Sequence, residues 1–352
     1  MDYSLQIQKL LVKKDAVKEP NDKIKILKEA IALADAHNDI EWSYDLRLDI
    51  MDEEYYTSRY TERFAAFTWL LNACDENPDL FDEDDLLWRY RWMVHAARMT
   101  VNISLEQIEQ INNDFKARLQ RCGYGLRAFY NDEFRRYYIQ NSMDRAKECL
   151  DLREKEQVND MVCEACEISE WIDYNLRFDE LDKALALYNE LIAKGYSCMR
   201  RPFDTYCSFV DYYTRKGNIE KAHEMYLKTE ELFNDPDCDH LTVVGSMSIL
   251  INFLSHYNPN KAWELVERSI ENTVEATDEN KYKFSRNILH LLSDGGNRVV
   301  NIPTTVPWYR TDNTYNLSEL YDYYYNIASD LAQRFDARNG NNIFMSLVEK
   351  LK

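Results

Sequence analysis

The feature that most constrains this chain is a unit that recurs with a period of about 38. Each unit has a polar or charged turn and then an alanine that opens an amphipathic helix, as in FDELDKALALY and KGNIEKAHEMY. A short helical unit cannot bury its apolar face alone, so stacked neighbours bury it together. We call the position of this alanine the anchor of the unit, and in one unit an isoleucine occupies it. The anchors of the successive units are Ala30, Ala66, Ile108, Ala146, Ala184, Ala222 and Ala262.

The composition favours helices over sheets. The chain has 8 Gly and 7 Pro among 352 residues, whereas sheet-rich folds need many of both in their turns. It contains neither G-x-G-x-x-G nor G-x-x-x-x-G-K-[ST], which excludes the two standard glycine-loop phosphate sites. Hydrophobic residues make up 45% of the chain, enough for a large core without disulfides or metals. We therefore predict an all-α fold.

Other residues repeat around the anchors. Around Ala184, Trp171 and Tyr188 occupy matching positions, and Asp179 stands where a turn glycine is usual. The pattern resembles the tetratricopeptide repeat, a helix–turn–helix unit with a family period of 34. Over roughly residues 22–275, the resemblance implies a right-handed superhelix (an α-solenoid) of about seven or eight antiparallel helix hairpins. The residues that carry it around Ala222 are Tyr206, Phe209, Tyr213, Gly217 and Tyr226.

The C-terminal part does not follow this repeat period. We assign residues 1–275 to the tetratricopeptide-like repeats and residues 276–352 to a divergent C-terminal repeat. The latter contains a long loop, 295–315, and ends in a capping helix over 341–351. Because the loop carries apolar residues such as Val300, Ile302 and Val306, we expect it to pack against the protein.

The net charge and the N-terminal sequence indicate which classes of partner and which cellular location to expect. With 43 Lys and Arg against 62 Asp and Glu, the net charge is −19, which disfavours nucleic acid and anionic membranes as partners. The N-terminal sequence MDYSLQIQKL has no secretory pattern, and no apolar run approaches the roughly 20 residues of a membrane span. These observations predict a cytoplasmic protein whose eight cysteines are reduced thiols. The sequence does not indicate an oligomeric state.

Signals for chemistry are weak, and we predict no catalytic, cofactor-binding or metal-binding residues. Cys163 and Cys166 form a lone C-x-x-C in VCEACEISEWI, which we interpret as two small residues packing on a helix face. The six histidines never pair at helical spacing. The acidic run 75–88 lacks the glycine and closing glutamate of a calcium loop, and we interpret it as helix capping.

The family resemblance implies a concave groove lined by the first helix of each hairpin. A basic segment over 116–136, which includes Arg118, Arg127 and Arg136, could pair with neighbouring repeats or receive an acidic peptide. By register, the predicted groove residues are Tyr90, Met93, Asn131, Arg135, Tyr138, Asp173, Arg177, Asp211, Arg215 and Met247.

The leading functional hypothesis is a non-enzymatic interaction module that holds a protein or peptide partner in this groove. One alternative is an acidic inhibitor or immunity-type protein that covers a basic partner, to which the net charge of −19 is suited. Another is a receptor that closes around a peptide signal. An enzyme would require the loop 295–315 to fold over a pocket lined by groove carboxylates.

Overall fold

A computed structural model describes residues 2–350, except positions 56, 58, 59, 160, 162, 199 and 234–242. The described residues form eighteen α-helices and one two-stranded sheet, which confirms the all-α prediction. Among them, no helix combines the length and apolar character needed to cross a bilayer.

The chain divides into two compact units, which we name by position. The N-terminal unit comprises residues 1–159 with 275–277, and the C-terminal unit comprises 160–274 with 278–352. The compact units therefore divide near residue 160, while the predicted boundary at 275, between the regular repeats and the divergent C-terminal repeat, stays a prediction. The helices of the N-terminal unit are α1 (Tyr3–Asp15), α2 (Pro20–Ala36), α3 (Ile40–Tyr55), α4 (Thr61–Glu76), α5 (Asp84–Met99), α6 (Leu105–Arg121), α7 (Arg127–Ile139) and α8 (Met143–Arg153).

The C-terminal unit continues the succession of helices and contains the sheet. A 3-10 turn covers Ile270–Thr273. The strands β1 (Asn297–Val299) and β2 (Thr314–Asn316) pair antiparallel. Its helices are α9 (Glu164–Arg177), α10 (Leu181–Ala193), α11 (Phe203–Arg215), α12 (Ile219–Phe233), α13 (Val244–Tyr257), α14 (Pro259–Ser269), α15 (Asp278–Asn287), α16 (Leu289–Leu292), α17 (Leu317–Asn339) and α18 (Ile343–Glu349).

All seven predicted anchors are buried. Their exposed fractions range from 0% to 6%, and the one large anchor, Ile108, is 1% exposed. Small residues at these positions let neighbouring helices approach closely, while larger side chains fill the space on either side. The sequence spacing therefore identified positions that lie in the interior of both units.

Three hairpin turns have the same backbone geometry at equivalent positions of successive repeats. Asn141, Asp179 and Gly217 have left-handed φ values of 59°, 60° and 70°. In each turn the next amide donates to the carbonyl five positions earlier, with an N···O distance of 2.9 Å. This bond satisfies a carbonyl at the helix end, and Asn and Asp tolerate the left-handed region better than most residues. Asp179 thus replaces the usual glycine without changing the turn.

Side chains also bond across successive hairpins at the repeat distance. In the N-terminal unit Lys14 Nζ donates to Asp49 Oδ2 at 2.7 Å, across 35 residues. In the C-terminal unit the hydroxyls of Ser169 and Thr205, which are 36 residues apart, lie 2.6 Å from each other. Contacts at this separation are expected when equivalent faces of consecutive units stack.

The predicted loop over 295–315 packs against the C-terminal unit, as its apolar residues indicated. Val300, Ile302 and Val306 are 1%, 5% and 3% exposed. The amide of Asn301 donates to Glu267 Oε1 on α14 at 2.7 Å. The loop begins and ends in β1 and β2, which the sequence did not predict.

Candidate binding surface

The first helices of successive hairpins lie side by side in the C-terminal unit. Helix α9 packs on α11, and α11 packs on α13, while α10, α12 and α14 each pack on their own first helix. Such a layer brings residues at equivalent repeat positions onto neighbouring helices.

Four of the predicted groove residues form a polar row on α9 and α11, which we call the Asp–Arg row (Asp173, Arg177, Asp211, Arg215). Arg177 Nε lies 2.8 Å from Asp173 Oδ2, and Arg215 Nε lies 2.9 Å from Asp211 Oδ2. These side chains are 33% to 48% exposed. Ser208 of α11 donates to Asp173 Oδ1 at 3.3 Å, so the two helices are joined along the row.

The ion pairs of this row add little to stability. Exposed pairs one helical turn apart contribute about 0.3–0.5 kcal/mol, because water already solvates both charges. Separating the two side chains of such a pair therefore also costs little free energy. An arginine of the row can therefore exchange its aspartate for a carboxylate or backbone carbonyl of a ligand, and the aspartate can accept from a ligand amide.

Two more predicted groove residues lie at the surface of the N-terminal unit, in α7. Arg135 is 21% exposed, and its Nη1 donates to Asp132 Oδ1 at 3.2 Å. Asp132 is buried, with a side chain 2% exposed. Tyr138 is half-buried, with its ring centroid 5.9 Å from that of Phe134. Arg135 therefore neutralises an interior charge, in contrast to the exposed arginines of the Asp–Arg row.

The remaining four predicted groove residues are buried, which removes them from the predicted surface. Tyr90 is 4% exposed, packs between the rings of Phe67 and Phe115 at 5.0 and 5.2 Å, and donates its hydroxyl to Asp114 at 2.8 Å. Burial raises the pKa of Tyr90 well above its ordinary value. The others, at 3%, 6% and 0% exposure, are Met93, Asn131 and Met247.

These four residues are buried because the first helices of the hairpins bury more than one face. A helix that packs on its hairpin partner and on neighbouring first helices has a wide buried arc. Each residue turns a helix by about 100°. Groove positions assigned from the family register can therefore fall within the buried arc.

The basic segment of the N-terminal unit is engaged in internal pairs. Arg118 is 5% exposed and donates to Asp75 and Glu83 at 2.6 to 2.9 Å. Arg136 donates to both carboxylate oxygens of Glu133 at 2.8 and 2.6 Å. Of its two predicted roles, the structure favours pairing with neighbouring repeats over receiving an acidic peptide.

The acidic run 75–88 places carboxylates at the start of a helix, although the N-cap residue Glu83 makes no side-chain capping bond. Helix α5 begins at Asp84, and the amide of Asp84 donates to Asp82 Oδ1 at 3.0 Å. Asp84 and Asp85 lie in the first helical turn, where the backbone amides favour negative charge. The second half of the run therefore serves helix α5, while Asp75 and Glu83 pair with Arg118.

A cysteine cluster in the C-terminal unit was missed by the sequence analysis. Helix α9 begins at Glu164, so Cys163 is its N-cap residue rather than part of its face. The sulfur atoms of Cys163, Cys166 and Cys198 all lie within 4.8 Å of one another, and all three residues are half-buried. Their interpretation as small residues packed on a helix face is therefore incomplete. Cys198 is remote from Cys166 in sequence, and no local pattern connects it to the C-x-x-C.

Hydrogen bonding within the cluster shifts the pKa values of two of its thiols in opposite directions. Bonds from the thiols of Cys166 and Cys198, with help from the amides of Cys166 and Ala165, hold the pKa of Cys163 below its ordinary value. Bonds of Cys166 with the sulfurs of Cys163 and Cys198, together with burial, raise the pKa of Cys166. Cys163 therefore ionises before Cys166. Two residues considered in the sequence, Cys238 and His240, lie outside the described residues.

The loop over 295–315 lines a cleft of about 600 Å³ with α15 and α17. Its walls include Phe284, Trp308 and Tyr323. The charged residues that line it, within the described part of the chain, are Lys281 and Asp330. The enzyme hypothesis required a pocket lined by groove carboxylates, and the carboxylate of this cleft, Asp330, is not one of the predicted groove residues.

No protein-family model matches this sequence, and a comparison with curated protein sequences finds no significant match.

Proposed function

We propose that this chain is a protein-interaction module of the tetratricopeptide-like class, an α-solenoid of antiparallel hairpins in the cytoplasm. It binds a protein or peptide partner without catalysing a reaction. The Asp–Arg row across α9 and α11 is the contact surface in the C-terminal unit.

The observation that carries this proposal is the recurrence of one exposed Asp–Arg pair on two adjacent first helices. The two pairs occupy equivalent positions of consecutive repeats, and Ser208 of α11 donates to Asp173 of α9. Repeated polar positions on a rigid helical layer can bind successive positions of an extended chain. Since the pairs add little to stability, their repetition is better explained by binding.

The test is to remove both arginines of the row and measure retention of a partner. The full-length protein is immobilised and exposed to native lysate at low and moderate salt, and retained proteins are identified by mass spectrometry. The double variant Arg177→Ala/Arg215→Ala should lose the partner that the unmodified protein keeps. With the purified partner, we expect affinity to fall at least about tenfold, which corresponds to about 1.4 kcal/mol.

The matched control is Arg334→Ala on α17. Arg334 forms the same kind of pair, with its Nη1 3.2 Å from Asp330 Oδ2 one helical turn away. It lies in the same unit but outside the row, so its removal should leave affinity unchanged. Equal affinity of the double variant and the unmodified protein would exclude the row as the contact surface.

The two alternatives predict different salt behaviour and ligands. An acidic inhibitor should retain a basic protein at low salt and lose it as salt screens the charges. A peptide receptor should retain no protein at either salt concentration but should bind a small peptide from the lysate.

A further inference from the structure

The three cysteine sulfurs are brought together by two local backbone features. Cys163 and Cys166 occupy the N-cap and third position of α9, so both side chains lie at the start of the helix. Cys198 opens a tight turn, in which the amide of Arg201 donates to the carbonyl of Cys198 at 2.8 Å. This turn directly precedes α11. The cluster therefore joins the start of one first helix to the segment that leads into the next.

The sulfur separations match the requirements of a thiolate metal site. Zinc–sulfur bonds are about 2.3 Å, so two sulfurs of a tetrahedral site lie about 3.8 Å apart. The three sulfurs are already within 4.8 Å of one another. Modest side-chain rotation would bring them to the bonding distance. The spacing of Cys163 and Cys166 is also that of a common zinc half-site.

Arg201, a half-buried cation, lies in the same turn as Cys198. Its guanidinium pairs with Asp204. Asp204 in turn accepts from Ser246 Oγ at 2.6 Å and pairs with Arg200 at 2.8 Å. These contacts hold the Arg201 side chain at the turn that carries Cys198. Outer contacts of this kind orient and tune metal ligands.

We propose that Cys163, Cys166 and Cys198 bind one Zn²⁺ ion through three thiolates. Each thiol releases its proton to solvent as its sulfur bonds the metal, and water or an external ligand takes the fourth position. Three thiolates and Zn²⁺ together carry a single negative charge, and the adjoining group of Arg200, Arg201 and Asp204 carries a net positive charge that offsets it. This site is independent of the Asp–Arg row.

A metal site accounts for the cluster better than a dithiol redox pair does. A disulfide between Cys163 and Cys166 would leave the third sulfur without a role in the bond. A soft metal ion uses all three sulfurs, and the donor set contains only sulfur, which favours zinc over magnesium or calcium. The bound ion would also link α9 to the turn before α11.

The first experiment measures zinc binding by the reduced, metal-free, full-length protein. Zinc is titrated in competition with a chromophoric chelator, and Co²⁺ serves as a spectroscopic probe. We expect one equivalent of zinc per chain. We also expect a Co²⁺ complex with sulfur-to-metal charge-transfer absorption of the intensity of three thiolates. Absence of stoichiometric binding would overturn the proposal.

The decisive variant is Cys198→Ser, because this residue is remote in sequence from the C-x-x-C. It should weaken zinc binding by more than about 100-fold and reduce the charge-transfer absorption to the level of two thiolates. The matched control is Cys122→Ser in the N-terminal unit. Cys122 is also a half-buried free thiol, and its loss should leave zinc binding unchanged. Unchanged zinc binding by Cys198→Ser would contradict the three-thiolate site.

Two further measurements test the contribution of Arg201 to zinc binding and the alternative of a redox disulfide. Arg201→Gln should weaken zinc binding by about tenfold while the Co²⁺ spectrum keeps the intensity of three thiolates, because the ligands remain and their charge compensation is lost. Mass spectrometry after mild oxidation identifies a redox pair. A Cys163–Cys166 disulfide in a protein that binds no zinc would replace the metal proposal with a redox one.

Discussion

The two units share one repeat period but have different interiors. In the C-terminal unit the buried polar residues are serine, threonine and asparagine, with Asp336 as the charged exception among the described residues. In the N-terminal unit many of them are charged. The buried charged residues of that unit are Glu54, Arg63, Arg98, Arg118, Arg127, Asp132, Glu133, Arg136 and Arg153.

One contact from each unit shows what this difference means. Glu133 accepts from Asn112 at 2.6 Å and from two nitrogens of Arg136 at 2.8 and 2.6 Å. The hydroxyls of Ser169 and Thr205 form one neutral bond of 2.6 Å. Loss of one partner leaves a buried charge in the first case and a buried hydroxyl in the second. The same helical repeat can therefore be sensitive or tolerant to polar substitution, depending on its interior.

The largest effect is expected for Glu133→Ala. The change leaves the guanidinium of Arg136, 7% exposed, without its main partner. Removing one member of a buried ion pair costs about 3–5 kcal/mol, and we expect a loss of that size in the free energy of unfolding. Urea unfolding measures the loss, and hydrogen exchange locates it in α7 and α8. A loss below about 1 kcal/mol would show that the pair is effectively solvated.

The next effect is pH-dependent and concerns Arg118→Gln. Hydrogen bonds from Arg118 hold the pKa of Asp75 below its ordinary value. Burial alone would raise the pKa of Glu83, but Arg121 and Arg118 hold it lower. A lowered carboxyl pKa stabilises the fold above the unfolded pKa of about 4, and this contribution is lost as pH falls through the folded pKa.

We therefore expect Arg118→Gln to cost about 1.5–3 kcal/mol at pH 7 and progressively less below about pH 4. The measurement is urea unfolding of both proteins from neutral to acidic pH. A difference that stays constant across this range would show that packing of the arginine side chain, rather than its charge, stabilises the N-terminal unit.

A smaller effect is expected in the C-terminal unit for Ser169→Ala. The change leaves the Thr205 hydroxyl without this partner, which costs about 1–2 kcal/mol. Adding Thr205→Val removes the unpaired hydroxyl and should recover part of the loss. Thermal unfolding of the single and double variants checks both statements. A loss for Ser169→Ala as large as that for Glu133→Ala would remove the distinction between the two interiors.

The smallest effect on stability is expected for Arg177→Ala/Arg215→Ala in the Asp–Arg row. Both ion pairs are exposed, so the double variant should lose less than about 1 kcal/mol in total. Thermal unfolding of the variant provides this value. A loss of several kcal/mol would mean that the row holds α9 and α11 in place rather than serving a ligand.

Features repeated along the sequence were predictable, and features made by distant residues were not. The anchors from Ala30 to Ala262 follow from spacing because every stacked helix needs a close contact. The turn at Asp179 follows because the repeat places a left-handed residue there. The partners of Glu133 and the approach of Cys198 to Cys163 depend on the three-dimensional arrangement of separate helices and turns. No local periodicity encodes such contacts.

The exposure of the predicted groove residues was predictable only in part, for a related reason. Periodicity places Asp173 and Asp211 at equivalent repeat positions, and both side chains are partly exposed. It could not show that Tyr90 and Met247 lie in a buried arc, because that depends on how many neighbours each helix packs against.

The most direct test of the Asp–Arg row is the affinity of a purified partner for three forms of the protein. The forms are the unmodified chain, Arg177→Ala/Arg215→Ala and Arg334→Ala, all compared at equal stability. We predict an affinity at least about tenfold weaker for the double variant and unchanged for Arg334→Ala. Equal binding by all three forms would contradict the Asp–Arg row as the binding surface.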